Sequence, residues 1–216
     1  MIDAKHISIK GKKYCEYLAL DTNIGLIHRY LRQGGECSYG YRAIFAEITK
    51  LGYSIKAVVS DGGTGIYSTL KHYNVELHQR CHIHLLRDLK VGLRMNTKHM
   101  RKDKRKWFIY SYARLLLGAR DIKTREQRLK HWFKTITLMH QPHGQGEINT
   151  IKSFSRTINK AFTFLDHASE VSGIPVTTNI VEGYISRLNT RLKTTRGLKS
   201  PANAELLING IHWYLK

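Results

Sequence analysis

Ile55-Lys56-Ala57-Val58-Val59-Ser60-Asp61-Gly62-Gly63 is a mostly apolar run that stops at an acid and two glycines. Its meaning depends on what precedes it. Residues 2–10 alternate, with Ile7 and Ile9 set against His6 and Ser8, and they stop at Gly11-Lys12-Lys13, a turn. A second extended run, Tyr14 to Leu20, enters Asp21-Thr22-Asn23-Ile24-Gly25, and a third, Leu26 to Leu31, ends at Gly34-Gly35. Short strands joined by tight turns predict an antiparallel meander. From Ser38 the period becomes helical through Ala43, Ile44, Ile48 and Leu51, with Gly52 as the stop. After a meander and a helix, the 55–61 run reads as a buried strand parallel to an earlier one. Gly62, Gly63 and Gly65 permit a sharp entry into a helix bearing Ile66 and Leu70, and Val75-Glu76-Leu77 reads as a further short strand. The predicted order is that of a mixed α/β sheet.

Residues 85–170 lack strand alternation and read as helices, around Leu85, Leu86 and Leu89, then Leu115, Leu116 and Leu117, then Trp132, Phe133 and Ile136. This stretch is also the most basic: from Arg87 to Lys134 there are sixteen Lys/Arg against four acids. Residues 140–146 read as a loop. A last helical portion follows Pro175, with Ser200-Pro201 as N-cap and first-turn proline of the terminal helix. Three parts result: 1–84, a basic helical insertion at 85–172, and 173–216.

The whole chain of 216 residues carries 36 Lys+Arg against 16 Asp+Glu, a formal net charge of +20. Such an excess predicts a polyanionic partner, and nucleic acid fits better than an anionic membrane. No apolar stretch approaches the length of a membrane span, and no signal peptide is visible. Three cysteines, Cys15, Cys37 and Cys81, suit a reducing compartment.

In a chain so poor in acids, position matters. Asp3 lies near the start of the first strand, Asp61 ends the buried strand, and Glu182 lies in Thr177-Thr178-Asn179-Ile180-Val181-Glu182. Functional groups collect where strands end and connections diverge. Three carboxylates meeting there need a cation, and Mg²⁺ suits oxygen ligands shared with phosphate. Each acid also has an ordinary reading: a surface acid for Asp3, a turn former for Asp61, and a capping-box partner of Asn179 for Glu182. His78, Cys81, His82 and His84 prompt a zinc site, yet a closed site needs four ligands and no second Cys/His pair follows at finger spacing.

Asp3 with Lys10-Gly11-Lys12-Lys13-Tyr14, Ser60-Asp61-Gly62-Gly63, Arg80-Cys81-His82-Ile83-His84 and Thr177-Thr178-Asn179-Ile180-Val181-Glu182 occur in an order that resembles the DDE transposases of the Mutator-like and bacterial insertion-sequence type. The resemblance spans essentially the whole chain. It implies an RNase H-like mixed sheet, three antiparallel strands plus parallel strands, carrying an all-helical basic insertion. It implies a metal-binding catalytic triad of Asp3, Asp61 and Glu182 holding two Mg²⁺ (or Mn²⁺) ions for DNA cleavage and strand transfer. Asp21 competes for the first position but reads as structural. Cys81 and His84 match the family's Cys-x-x-His element, as a packed pair near the active site.

Phosphate contacts are expected from Lys102 and Arg105 in the insertion and from Arg187, Arg191 and Lys193 after Glu182. Trp107, Trp132 and Phe133 are expected in the core. The resemblance further implies DNA element ends and target as partners, self-association in the active complex, and a cytoplasmic, nucleoid-associated location in a prokaryote. Family members carry a DNA-binding region ahead of the first Asp, which leaves a catalytic fragment, a truncated reading frame or a product needing a partner all open. Two other classes stand beside the enzyme: a domesticated or inactive DNA-binding remnant, and an RNase H-like nuclease acting on hybrids.

Overall fold

The computed structural model describes residues 1–95, 103–138, 144–194 and 198–215. Strands β1 (Ile2–Ile9), β2 (Lys12–Asp21) and β3 (Gly25–Gln33) form an antiparallel sheet in the order β1-β2-β3. The first hairpin turns on Lys10-Gly11, between the facing pair Ile9 and Lys12, one residue earlier than the glycine-lysine run suggested. Both turn residues have positive φ (49° and 73°), the geometry that matches strand twist in a two-residue loop. The second hairpin closes on Asp21, whose Oδ1 accepts the N–H groups of Asn23 and Ile24. These bonds hold its carboxyl below the usual carboxylate range and make Asp21 a turn residue, as expected.

After helix α1 (Ser38–Lys50) come β4 (Ala57–Ser60), α2 (Thr64–His72) and β5 (Leu77–Arg80). β4 and β5 form a parallel two-stranded sheet, and β1 runs beside β4. β5 begins where the predicted strand at residues 75–77 ends. The observed class is therefore mixed α/β.

The chain divides into two compact units, 1–78 with 177–216, and 79–176. In the first, β2 is buried on both faces from Tyr14 to Leu20. Cys15, Tyr17 and Ala19 join Tyr41, Ile44, Phe45 and Ile48 of α1, Ile66 and Leu70 of α2, and Val58 of β4. On the opposite face, Tyr14, Leu18 and Leu20 meet helices α8 (Asn179–Lys193) and α9 (Pro201–Leu215), through Val181, Tyr184 and Leu188, and through Ala204, Ile208 and Ile211. The period-two alternation of a strand explains why one run serves two cores. Ser200 Oγ accepts the Asn203 N–H at the start of α9, as the Ser-Pro pair predicted.

Glu16 is the exception on that second face: a carboxylate with 0% exposure. Its Oε1 accepts from Arg29 Nε at 2.6 Å and lies 2.8 Å from His212 Nε2 of α9. Arg29 also bonds Glu205 (2.5 Å) and Asn209 (2.7 Å), and His212 Nδ1 meets the Tyr184 hydroxyl of α8 at 2.5 Å. Burial works against the Arg29 charge, yet Glu16 and Glu205 hold its pKa above the usual value.

The second unit is helical: α3 (His82–Gly92), α4 (Lys104–Leu117), α5 (Ile122–Leu138), α6 (Gln145–Thr157), a 3₁₀ turn (Ile158–Ala161) and α7 (Thr163–Asp166). Leu89, Leu93, Ile109, Leu116, Trp132 and Phe154 lie in its core. Trp132 is the core residue expected, with its indole N–H on Ser155 Oγ at 3.0 Å. Trp107 and Phe133 are exposed, which corrects that expectation: their helix positions face away from the cluster that Trp132 joins. Glu16→Ala should cost about 3–5 kcal/mol in urea denaturation, because Arg29 and His212 would lose a shared buried partner.

Candidate functional site

The loop from β3 to α1 is placed by Tyr17. Its hydroxyl accepts the Cys37 N–H at 2.8 Å and lies 3.4 Å from the Cys37 carbonyl oxygen. A Cβ at Gly40 would stand 2.0 Å from the Tyr17 ring, so only glycine lets α1 close over that ring. Glu36 is thereby held at the start of α1.

The opposite wall is the end of β4. Gly62 adopts φ 79° immediately after Asp61. Its N–H donates to Ser60 Oγ, which in turn lies 2.8 Å from His78 Nε2. Asp61 Oδ1 accepts the Gly63 N–H at 3.0 Å, so Asp61 does form the turn that its glycines suggested. A Cβ on Gly65 would come within 3.0 Å of the Cys37–Ser38 backbone, which is how α2 approaches the loop so closely. A Cβ on Gly63 would meet Glu36 Oε1 at 3.1 Å and Asp61 Oδ1 at 3.7 Å. The two carboxylates thus flank one glycine in an open cleft of about 660 Å³, lined also by Cys37, Ser38 and Ser68.

Tyr41, 2% exposed, donates its hydroxyl to Glu36 Oε1 at 2.7 Å. Burial raises its pKa most, the Glu36 hydrogen bond and charge add to this, and the Asp61 and Asp3 charges raise it further. Asp3, Glu36 and Asp61 therefore act on a single phenol. Glu36 and Asp61 present hard oxygen donors to the cleft, the ligand type that Mg²⁺ takes. Asp3 accepts the Ala4 N–H at 2.8 Å. Among the described residues, neither Asp3 nor Asp61 belongs to a set of three ligand atoms all within 4.8 Å of one another. Glu36 escaped the sequence reading; its signal was an acid placed between Gly34-Gly35 and a helix start.

Glu182 lies in the first turn of α8, the helix laid on β1 and β2, and its Oε1 accepts the Thr178 hydroxyl at 2.7 Å. The helix begins at Asn179 with Thr178 as N-cap and no side-chain cap bond, so the Asn179 capping box is absent and Glu182 is not spent on it.

Arg187, Arg191 and Lys193 are exposed on the same helix. Arg187 lies over the Tyr184 ring at 5.7 Å and Arg191 over Tyr214 at 4.9 Å. In the helical unit, Arg105 is exposed near Asp103, at 3.7 Å, and Lys102 lies outside the described residues. Two cations of the basic window turn inward instead: Lys106 pairs with Glu147 and Arg125 with Asp166, acids supplied from beyond that window. Cys81 is the buried N-cap of α3, and His84 is buried in its first turn. Of the other candidate zinc ligands, His78 is engaged with Ser60 and His82 Nε2 with the Ala161 carbonyl at 2.6 Å.

The three cysteines remain thiols. Burial pushes Cys15 up to about 11. Burial also opposes ionisation of Cys37, but the Gly40 N–H, the Tyr17 hydroxyl, the Arg32 charge and the Tyr39 N–H together bring its thiol below the usual value.

A family model described as "Transposase, Mutator family" matches residues 29–204, a stretch that begins after Asp3 and contains Asp61, Cys81, His84 and Glu182. No curated protein matches the chain. Among the described residues, no helix is long and apolar enough to cross a membrane. At pH 8, iodoacetamide should alkylate Cys37 well before Cys15, and Cys37→Ser should remove the fast phase in peptide mass mapping.

Proposed function

The chain belongs to the Mutator family of transposases, and we propose that it is a metal-dependent DNA strand-transferring catalytic domain of the DDE type. The observation that carries this reading is the placement of the carboxylates: Glu36 from the β3–α1 loop and Asp61 from the end of β4 flank Gly63 in one open cleft, and Asp3 lies on β1, the strand beside β4. The arrangement around it supports an RNase H-like core. A three-stranded meander has β4 beside its first strand and β5 beside β4, with helices on both faces of β2.

Asp3, Asp61 and Glu182 are the residues that would hold Mg²⁺ or Mn²⁺. The donor chemistry fits: all three are hard oxygen donors, Asp3 on β1, Asp61 directly after β4, the strand beside β1, and Glu182 on α8, which packs on β1 and β2. Bound there, one or two such ions would supply a lowered water pKa and a clamp on the leaving oxygen of a phosphodiester. Glu36 adds a further carboxylate to the cleft, kept in place by the Tyr41 hydroxyl. Burial above all, with the Glu36 hydrogen bond and the nearby negative charges, keeps Tyr41 protonated, so it donates and does not compete as an anion.

In the proposed reaction, water opens a phosphodiester at an element end. The freed 3′-hydroxyl then attacks a phosphodiester of target DNA, and the number of such bonds is unchanged in that second step. Arg187, Arg191 and Lys193, and Arg105 with Lys102 in the insertion, provide phosphate contacts that weaken with salt. Element ends and target are the DNA partners, a multimer joins paired ends, and the site of action is the nucleoid.

The test is nicking of terminal-repeat DNA with and without Mg²⁺. Asp61→Asn should lower the rate by about 10³-fold, the scale of several kcal/mol of lost charge stabilisation. The same variant should bind that DNA at least as well as the parent, because it removes a negative charge. Nicking unchanged by Asp61→Asn would falsify the carboxylate assignment. Tight binding without cleavage at any divalent concentration would leave the DNA-binding remnant instead.

A further inference from the structure

The last turns of α8 and α9 bring planar rings and guanidinium groups to one surface of the first unit. Trp213 is 79% exposed and Tyr214 71% exposed. Two consecutive large aromatics in solvent forgo burial that would stabilise the fold, which marks a surface that meets something else. The Arg191 guanidinium lies 4.9 Å from the centre of the Tyr214 ring. Beneath it, Arg187 lies over Tyr184, which stacks on His212 at 5.4 Å and 7° between planes. Stacked planar groups thus lead from the core toward the surface.

The cations placed on these rings are Arg187 and Arg191, and the sequence from there into α9 carries charge of one sign. No acid occurs from residue 183 to 204, a stretch that holds Arg187, Arg191, Lys193, Arg196 and Lys199. Glu205, the one acid of α9, is bound to Arg29. A second copy of the chain docking symmetrically here would set these cations against themselves. Apolar planes framed by fixed cations fit flat rings carried on a phosphate chain.

We propose that this α8–α9 surface stacks unpaired bases of DNA, with Trp213 and Tyr214 as the planes and Arg191 bridging ring and phosphate. The inference rests on the DNA reading above and is independent of the carboxylate chemistry. It gives the chain a preference for opened or frayed ends over closed duplex, which is the form in which a cleaved strand is presented.

The experiment compares labelled blunt duplex with the same duplex bearing a short unpaired 3′ tail, by fluorescence anisotropy. The tailed DNA should bind more tightly and quench tryptophan emission. Trp213→Ala and Tyr214→Ala should each weaken tailed binding roughly tenfold, while blunt binding and its salt slope stay as they were. Trp213→Phe should keep most of the preference, since a ring remains, and unchanged circular dichroism establishes that the variants fold. Equal binding of both DNAs by the parent protein, or a preference that survives both alanine variants, overturns the proposal. So does a fall in self-association in Trp213→Ala with DNA binding intact, which would identify a protein contact. Failure of the parent to bind either duplex would sink the DNA reading itself.

Discussion

A carboxylate sealed inside the sheet sets the architecture of the first unit. Glu16 has no exposure, and burying such a charge costs several kcal/mol unless partners offset it. Its partners come from two directions, Arg29 on the neighbouring strand and His212 on α9, and Arg29 is itself tied to Glu205 and Asn209 of that helix. An apolar contact tolerates sliding by a turn, but this set of hydrogen bonds does not. It holds α9 in one register across β2 and β3, and the Tyr184–His212 contact extends the constraint to α8. The placement of Glu182, Arg187 and Arg191 follows from it.

The acids of this basic chain divide by task. Asp21, Asp103 and Asp121 accept backbone N–H groups at turns and helix starts. Glu147 and Asp166 neutralise Lys106 and Arg125 inside the helical unit, and Glu16 and Glu205 do so for Arg29. Glu36 and Asp61 instead face an open cleft, where Tyr41 registers their charge together with that of Asp3. Carboxylates set near one another in a chain carrying 36 cations reflect a placement that simple charge neutralisation would not produce.

Much of this was legible in the residue pattern. The meander, α1 with its stop near Gly52, the buried strand ending at Asp61 and the Ser200-Pro201 helix start all follow from local periodicity and turn chemistry. The misses have a common origin. Glu36 drew no notice because its relation to Asp61 runs through the glycines of a different segment, 27 positions or so along the chain. The inward turn of Lys106 was hidden for the same reason, since Glu147 lies on another helix. Trp107 and Trp132 look alike in sequence, and only the packing of α4 and α5 sends one to solvent and the other to the core.

By itself the sequence determined the mixed α/β class, the order of strands and helices, the basic character and the family, because hydropathy period, turn residues and short ordered motifs act over neighbouring residues. Tertiary structure alone decided which acids share a cleft, which cations are consumed internally and which aromatics face solvent. Those outcomes depend on long-range pairing across β2, where alternate residues of one strand enter two separate cores, and no local pattern encodes what each will meet there.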